Sequence, residues 1–119
     1  MMGPEGALRL LLRRFPEFAQ LFGDPNNPEP EEPHYSYGVF AEAALKRLSD
    51  GAFLERTASF INELTASNES ILKDVVGVDV LETLAQVPEA AQALYPKLVQ
   101  SAQEDLKAIE RGFYGRTVE

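Results

Sequence analysis

Apolar side chains recur along this chain every three or four residues, which is the spacing of one face of an α-helix. In the first stretch, Leu8, Leu11 and Phe15 fall on the same face. The helices predicted from this spacing cover about residues 4–15, 36–48, 52–66, 69–86, 88–95 and 96 to the glycines at 112 and 115. A further short turn is predicted between Pro16 and Gly23, because proline ends or kinks a helix.

The fourth predicted helix is apolar around most of its circumference. Its apolar residues are Ile71, Leu72, Val75, Val76, Val78, Val80, Leu81 and Leu84. A helix of this kind is typical of the centre of a bundle. A valine-rich run also fits a buried strand, but a lone strand would find no pairing partner elsewhere in this chain. We therefore predict an all-α fold, a compact single domain over residues 1–119 with five to six helices and a central apolar helix near 69–86.

Proline and acidic residues dominate the segment between the first and second predicted helices. The run from Asp24 to Pro33 holds four prolines, four acids and two asparagines. Because proline lacks the backbone N–H and restricts φ, no helix is expected to run through it. We predict an acidic, proline-rich loop at about 23–36 with the extended character of polyproline segments. At this length such a loop is either functional or partly disordered.

Composition narrows the class of protein. The 119 residues are 45% hydrophobic, which suits one domain with its own core. Because there is no cysteine, disulfides and thiolate sites are excluded, and we expect a cytoplasmic protein. No apolar run approaches the ~20 residues that span a bilayer, and the arginines among the first leucines do not fit a signal peptide. The tail at 116–119 is expected to fray.

The negative charge is concentrated in one part of the chain. The net charge is −8. Between Arg14 and Lys46 there are six acids and no lysine or arginine, whereas the rest of the chain has 13 acids against 11 bases. A nucleic-acid binder needs a basic face, and a membrane-surface protein needs a basic amphipathic helix. We therefore expect neither nucleic acid nor a membrane as a partner, since an acidic surface attracts basic proteins instead.

Tyrosines accompany these acids, and the combination predicts a protein-binding surface. Tyrosine side chains are frequent anchors at protein interfaces, and carboxylates around them steer a basic partner. The residues predicted to bind the partner are Asp24, Glu29, Glu31, Glu32, Tyr35, Tyr37 and Glu42. The alternative is a solvated linker whose acids only aid solubility.

The sequence contains no recognisable catalytic or metal-binding motif. His34 is the only histidine, and no orienting carboxylate or nucleophile is recognisable beside it. The run Asp24 to Pro28 begins like a calcium loop but lacks the required glycine and terminal glutamate. A Glu-x-x-His pair and a phosphate-binding glycine loop are also missing. We therefore predict no catalytic residue, no metal and no cofactor, and an exposed or capping role for His34.

Asp79 is unusual because it interrupts the apolar fourth helix. A buried carboxyl at this position would need a base or backbone donors as partners. The alternative, which we favour, is a solvated strip that Asp79 forms with Glu82. The facing base would then be Arg56 or Lys73. Gly77 in the same helix costs ~1 kcal/mol relative to alanine, and we expect it to permit close helix packing.

Three segments resemble a known group of proteins. They are LRLLLRRFPEF at 8–18, YGVFAEAALKRLSDGAFLERTASFINEL at 37–64 and ILKDVVGVDVLETL at 71–84. In these segments the chain is similar to a group of small, uncharacterised bacterial helical proteins, some of which are encoded near polymorphic toxins and labelled immunity-like. The resemblance implies a helical fold, a bacterial cytoplasmic location and neutralisation of a toxin, and it supplies no site residues.

Three functional hypotheses follow. The first is a non-catalytic binding protein of the immunity or antitoxin type, which neutralises a cognate toxin by steric occlusion of a basic surface. The alternative is a helical scaffold or adaptor subunit that acts through homo-oligomerisation, with a homodimer formed by the apolar or the C-terminal helix. The third is an enzyme, which would require an enclosed polar cavity around Asp79 or His34.

Overall fold

Helices make up the regular structure of the residues that the computed structural model describes, 2–22 and 33–118. The α-helices in these ranges are α1 (Pro4–Arg14), α2 (Pro33–Leu45), α3 (Gly51–Ala66), α4 (Ser70–Val75), α5 (Glu82–Ala85), α6 (Pro88–Leu94) and α7 (Gln100–Tyr114). The described residues also form two 3₁₀ segments, Pro16–Phe22 and Tyr95–Lys97, and one π-helical segment, Val76–Leu81. No strand occurs in the described ranges, so the all-α prediction is confirmed.

Local chemistry sets several helix ends. Pro4 occupies the first turn of α1, where its missing N–H has no intrahelical partner. The Asp50 side chain caps α3 and accepts hydrogen bonds from the backbone N–H groups of Ala52 and Phe53, at 2.9 and 3.3 Å. At the end of α7, Gly115 adopts a φ of +62°, a left-handed conformation that glycine reaches without steric cost.

The second helix begins earlier than the sequence predicts. α2 starts at Pro33, so the last residues of the predicted 23–36 loop are helical, and the predicted start near Ser36 is wrong. The physical reason is that proline in the first turn of a helix gives up no hydrogen bond and already has a helical φ. Residues 23–32 of the predicted loop lie outside the described residues.

The fourth predicted helix consists of three consecutive segments, α4, the π segment and α5. The three segments follow one another without a break. Because the π segment divides the predicted helix into α4 and α5, the described ranges contain seven α-helices, where five to six were predicted. The spacing of buried pairs explains the division. Val75 and Val76 are followed by Val80 and Leu81 five residues later, whereas a regular α-helix would place the next pair three or four residues later. A π turn takes up the extra residue and keeps both pairs in the core.

The core contains a cluster of phenylalanine rings. Phe15 directly follows α1, and its ring centroid lies 4.8 to 5.9 Å from those of Phe18, Phe40, Phe53 and Phe60. Next to this cluster, α2 packs against the π segment and α5, and the π segment also contacts α3 and α7. The π segment therefore lies between three other helices.

The C-terminal tail is packed on the bundle over its described length. The predicted fraying from residue 116 is wrong, because Val118 is buried and Arg116 is held by a buried acid. The Arg116 Nε donates to Glu110 Oε2 at 2.7 Å, and Arg116 Nη2 donates to the carbonyl oxygen of Ala85 at 2.6 Å. The left-handed turn at Gly115 directs the tail back onto α5 and α6.

Candidate functional site

The predicted partner-binding residues divide into those on α2 and those before it. Tyr35, Tyr37 and Glu42 lie on α2. The other four, Asp24, Glu29, Glu31 and Glu32, lie outside the described residues. Both flanks of this acidic segment are anchored, since Phe22 before it and Pro33 after it are buried. The residues that border this segment on either side are therefore part of the core.

Tyr37 does not belong to the predicted binding surface, because its side chain is fully buried. Its hydroxyl donates a hydrogen bond of 2.8 Å to the carbonyl oxygen of Ala7 in α1. Its ring stacks on Phe60 of α3 at a centroid distance of 6.1 Å. Burial, with a smaller contribution from the charge of Glu63, raises the pKa of Tyr37 above the usual tyrosine range. The tyrosine ties three helices together, so the prediction that it contacts a partner is corrected.

Tyr35 and Glu42 remain on the surface. The Tyr35 side chain is 58% exposed, and Glu42 is exposed as well. Seven residues separate them, about two helical turns, so they share one side of α2. On the opposite side Ser36, Tyr37 and other residues enter the core. The exposed side of α2 thus presents one aromatic ring and one carboxylate, about two turns apart.

Next to Tyr35, His34 and Asp79 form a pair that was not among the predicted binding residues. His34 Nδ1 and Asp79 Oδ2 are 2.6 Å apart, and a carboxylate can only accept, so the ring N–H donates. The Asp79 side chain is 14% exposed and lies in the π segment, whereas the His34 ring is 48% exposed. The base predicted to face Asp79 was Arg56 or Lys73. Arg56 binds Glu17 instead, and the ring of His34 faces Asp79.

The sequence did contain a signal for this pair. The step of five between the apolar pairs of the fourth predicted helix indicates an extra residue, and such a π turn rotates Asp79 away from the position of a regular helix. Turns of this type are frequent at functional sites. The spacing alone does not identify the partner, because His34 lies 45 residues away in the chain.

The His34–Asp79 pair supplies part of the chemistry of a general base. A carboxylate on Nδ1 fixes the tautomer and orientation of an imidazole, as in hydrolase triads. A reaction also requires a nucleophile and a cavity that excludes water. With its ring half exposed at the surface, His34 is better placed to hold the first turn of α2 against the π segment.

The other flank of the acidic segment is held by an ion pair. Arg56 of α3 donates from Nη1 and Nη2 to the two carboxylate oxygens of Glu17, at 2.7 and 2.9 Å. The hydrogen bond from Arg56 is the main cause that lowers the pKa of Glu17. The Arg56 guanidinium also lies over the ring of Phe15, 4.8 Å from its centroid. Glu17, one of the six acids of the acidic stretch, is therefore part of the fold and not of an open surface.

Residues 2–22 and 33–118 contain neither a candidate membrane span nor a cluster of metal ligands. None of the helices there combines the length and apolarity needed to cross a bilayer. No group of three or more histidine, cysteine, aspartate or glutamate side chains in these ranges is arranged to hold a metal ion.

Comparison with known proteins gives no assignment, since no family model, no curated protein and no solved structure matches the chain. The resemblance to immunity-like bacterial proteins therefore stays a prediction.

Proposed function

We propose that this protein is a non-catalytic binding protein of the immunity or antitoxin type, which covers a basic surface of a toxin in the bacterial cytoplasm. The partner contacts would come from the acidic segment 24–32 together with Tyr35 and Glu42. The observation that carries the proposal is the 58% exposure of Tyr35 on a fixed helical turn. The residues beside it are held in place, His34 by Asp79 and Ser36 by burial.

This arrangement lowers the cost of binding. An aromatic side chain on a rigid base loses little conformational freedom when a partner covers it. Tyrosine in this position is a typical interface anchor, because its ring buries apolar area while its hydroxyl stays hydrogen-bonded. The neighbouring acids would then accelerate association with a basic partner and disfavour acidic ones.

Charge also supports a protein partner over a nucleic acid. Asp24, Glu29, Glu31, Glu32 and Glu42 share one stretch of sequence with no lysine or arginine. A phosphate backbone would be repelled by this stretch, whereas a basic nuclease-like surface would be attracted. Occlusion of such a surface requires no reaction step, so the proposal needs neither a cofactor nor a metal.

Capture from the native host tests the proposal. The tagged protein should retain a basic partner, and the double variant Glu29→Lys with Glu31→Lys should lose it. The matched control, Glu5→Lys with Glu89→Lys, changes the net charge equally on α1 and α6 and should retain the partner. Tyr35→Ala should weaken capture by about tenfold or more, as expected for an interface anchor. Equal capture by both charge variants would refute the proposal.

The alternative, a scaffold that forms homo-oligomers, has its own supporting observation. Phe113 at the end of α7 is 65% exposed, and Tyr114 beside it is also exposed. An apolar contact between two copies at this end would be insensitive to salt. Light scattering at low and high salt separates the hypotheses: a stable dimer that Phe113→Ser dissociates favours the scaffold.

A further inference from the structure

The π segment presents an apolar side chain to solvent. Val78 is 53% exposed, although Val76 and Val80 on either side are buried. Val78 lies two residues from each of these valines and therefore on the side of the segment opposite to them, which faces solvent. Val78 thus contributes little to the folded core.

Val78 forms one wall of a groove between the π segment and α7. Opposite it lie Ala108 and Ile109, and the volume of the groove is about 380 Å³. Gly77 completes the lining on the π side, and a Cβ placed there would meet no described atom within 4 Å. The expectation that Gly77 permits close helix packing is therefore wrong. The missing side chain leaves the groove open instead.

Carboxylates surround this apolar groove. Asp74 and Glu82 border it on one side and Asp105 on the other, with Lys73 as the only base among the lining residues. Burial, followed by the charge of Glu104, raises the pKa of Asp105 above the usual range. The carboxylates of Asp74, Glu82 and Asp105 would attract a cation placed at the rim, so the rim favours a basic occupant.

We propose that this groove binds a basic amphipathic helix of a protein partner. An apolar side chain of that helix would enter between Val78 and Ile109, and its lysines or arginines would face Asp105 and the other rim carboxylates. This is the helix-in-groove mode, in which apolar anchors provide affinity and charge provides selectivity. A second copy of this chain is disfavoured, because each copy carries a net charge of −8. None of these residues belongs to the α2 surface, so the inference does not rest on the proposed function.

The probe for this site is an 18-residue peptide of leucine and lysine with leucines at helical spacing, titrated into isotope-labelled protein and followed by NMR. Backbone shifts should change at Gly77, Val78, Ala108 and Ile109. The same peptide with every lysine replaced by glutamate should cause no such change. Val78→Ser should weaken binding by about tenfold, the effect of one buried valine. The control is Val99→Ser, which changes a valine that is 44% exposed outside the groove and should bind as the wild type does.

The outcomes separate this inference from the proposed function. Equal affinity of Val78→Ser and wild type, or shifts confined to residues 33–42, would overturn the groove site. Tyr35→Ala should leave peptide binding unchanged even where it abolishes capture of a host partner. A protein that dimerises without peptide, and that Val78→Ser makes monomeric, would show that a second copy occupies the groove and would also overturn the inference.

Discussion

His34 and Asp79 meet at 2.6 Å although 45 residues separate them in the chain. Their contact joins the first turn of α2 to the π segment, next to the end of the acidic segment. Tyr35, the exposed tyrosine, directly follows His34 on this turn. The same π segment carries the exposed Val78, so it adjoins both proposed binding surfaces.

Removal of the Asp79 charge should loosen the first turn of α2. We expect Asp79→Asn to accelerate amide hydrogen exchange at residues 36–38, with only about 0.5 kcal/mol lost from the global free energy of unfolding, since His34 is half exposed. Asp74→Asn, an exposed carboxylate of α4, is the control. Unchanged exchange in α2 would mean that the pair does not hold this turn.

Tyr37→Phe should lower the free energy of unfolding by about 1 kcal/mol. The variant keeps the buried ring but removes the hydroxyl that donates to the Ala7 carbonyl oxygen. Urea denaturation measures the loss. Tyr114→Phe, which removes a hydroxyl from a partly exposed ring, should change the stability by less than about 0.5 kcal/mol.

Arg116→Ala should destabilise the protein by about 2 kcal/mol. It would leave the buried carboxylate of Glu110 without its charged partner, and Glu110 Oε1 already has no hydrogen-bond partner among the described residues. The expected loss is smaller than for a fully buried ion pair, because the Arg116 side chain is partly exposed. Arg111→Ala, at an exposed arginine next to Glu110 in α7, is the control in thermal denaturation. Equal melting temperatures of the two variants would contradict the role assigned to the tail.

Glu17→Gln should weaken the dependence of stability on pH in the acidic range. The hydrogen bond from Arg56 lowers the folded-state pKa of Glu17 below its unfolded value. Its contribution is therefore complete above the unfolded pKa and is lost as the pH falls through the lower, folded pKa. Urea midpoints over the acidic range should fall less steeply for the variant than for wild type. Gln20→Ala, which changes no titratable group in the same 3₁₀ segment, should keep the wild-type slope.

Two glycines should respond in opposite directions to alanine. Gly77→Ala should raise the free energy of unfolding by roughly 0.5–1 kcal/mol, because a Cβ there meets no described atom within 4 Å and alanine restricts the unfolded chain. Gly115→Ala should lower it by about 1 kcal/mol, because φ is +62° at this position. Destabilisation by Gly77→Ala in urea denaturation would show that the π turn requires glycine.

The helical fold was predictable because its causes are local in the chain. Apolar spacing located the faces of α1 and α3, and the prolines at 4 and 88 marked helix starts. The concentration of acids between Arg14 and Lys46 is likewise a property of the sequence. The same local rules misplaced the start of α2 at Ser36, because they assigned Pro33 to the proline-rich loop and not to the first turn of a helix.

Contacts between residues far apart in the sequence determine which side chains are buried and which charged groups pair. Whether a tyrosine of α2 faces a partner or the core depends on which helices surround it: Tyr35 is exposed, whereas Tyr37 reaches Ala7 across 30 residues of sequence. The pairing of His34 with Asp79 and of Arg116 with Glu110 likewise requires the packed bundle. The sequence determines helix periodicity because hydrogen bonds within a helix link near neighbours, but burial and pairing arise only when separate helices exclude water together.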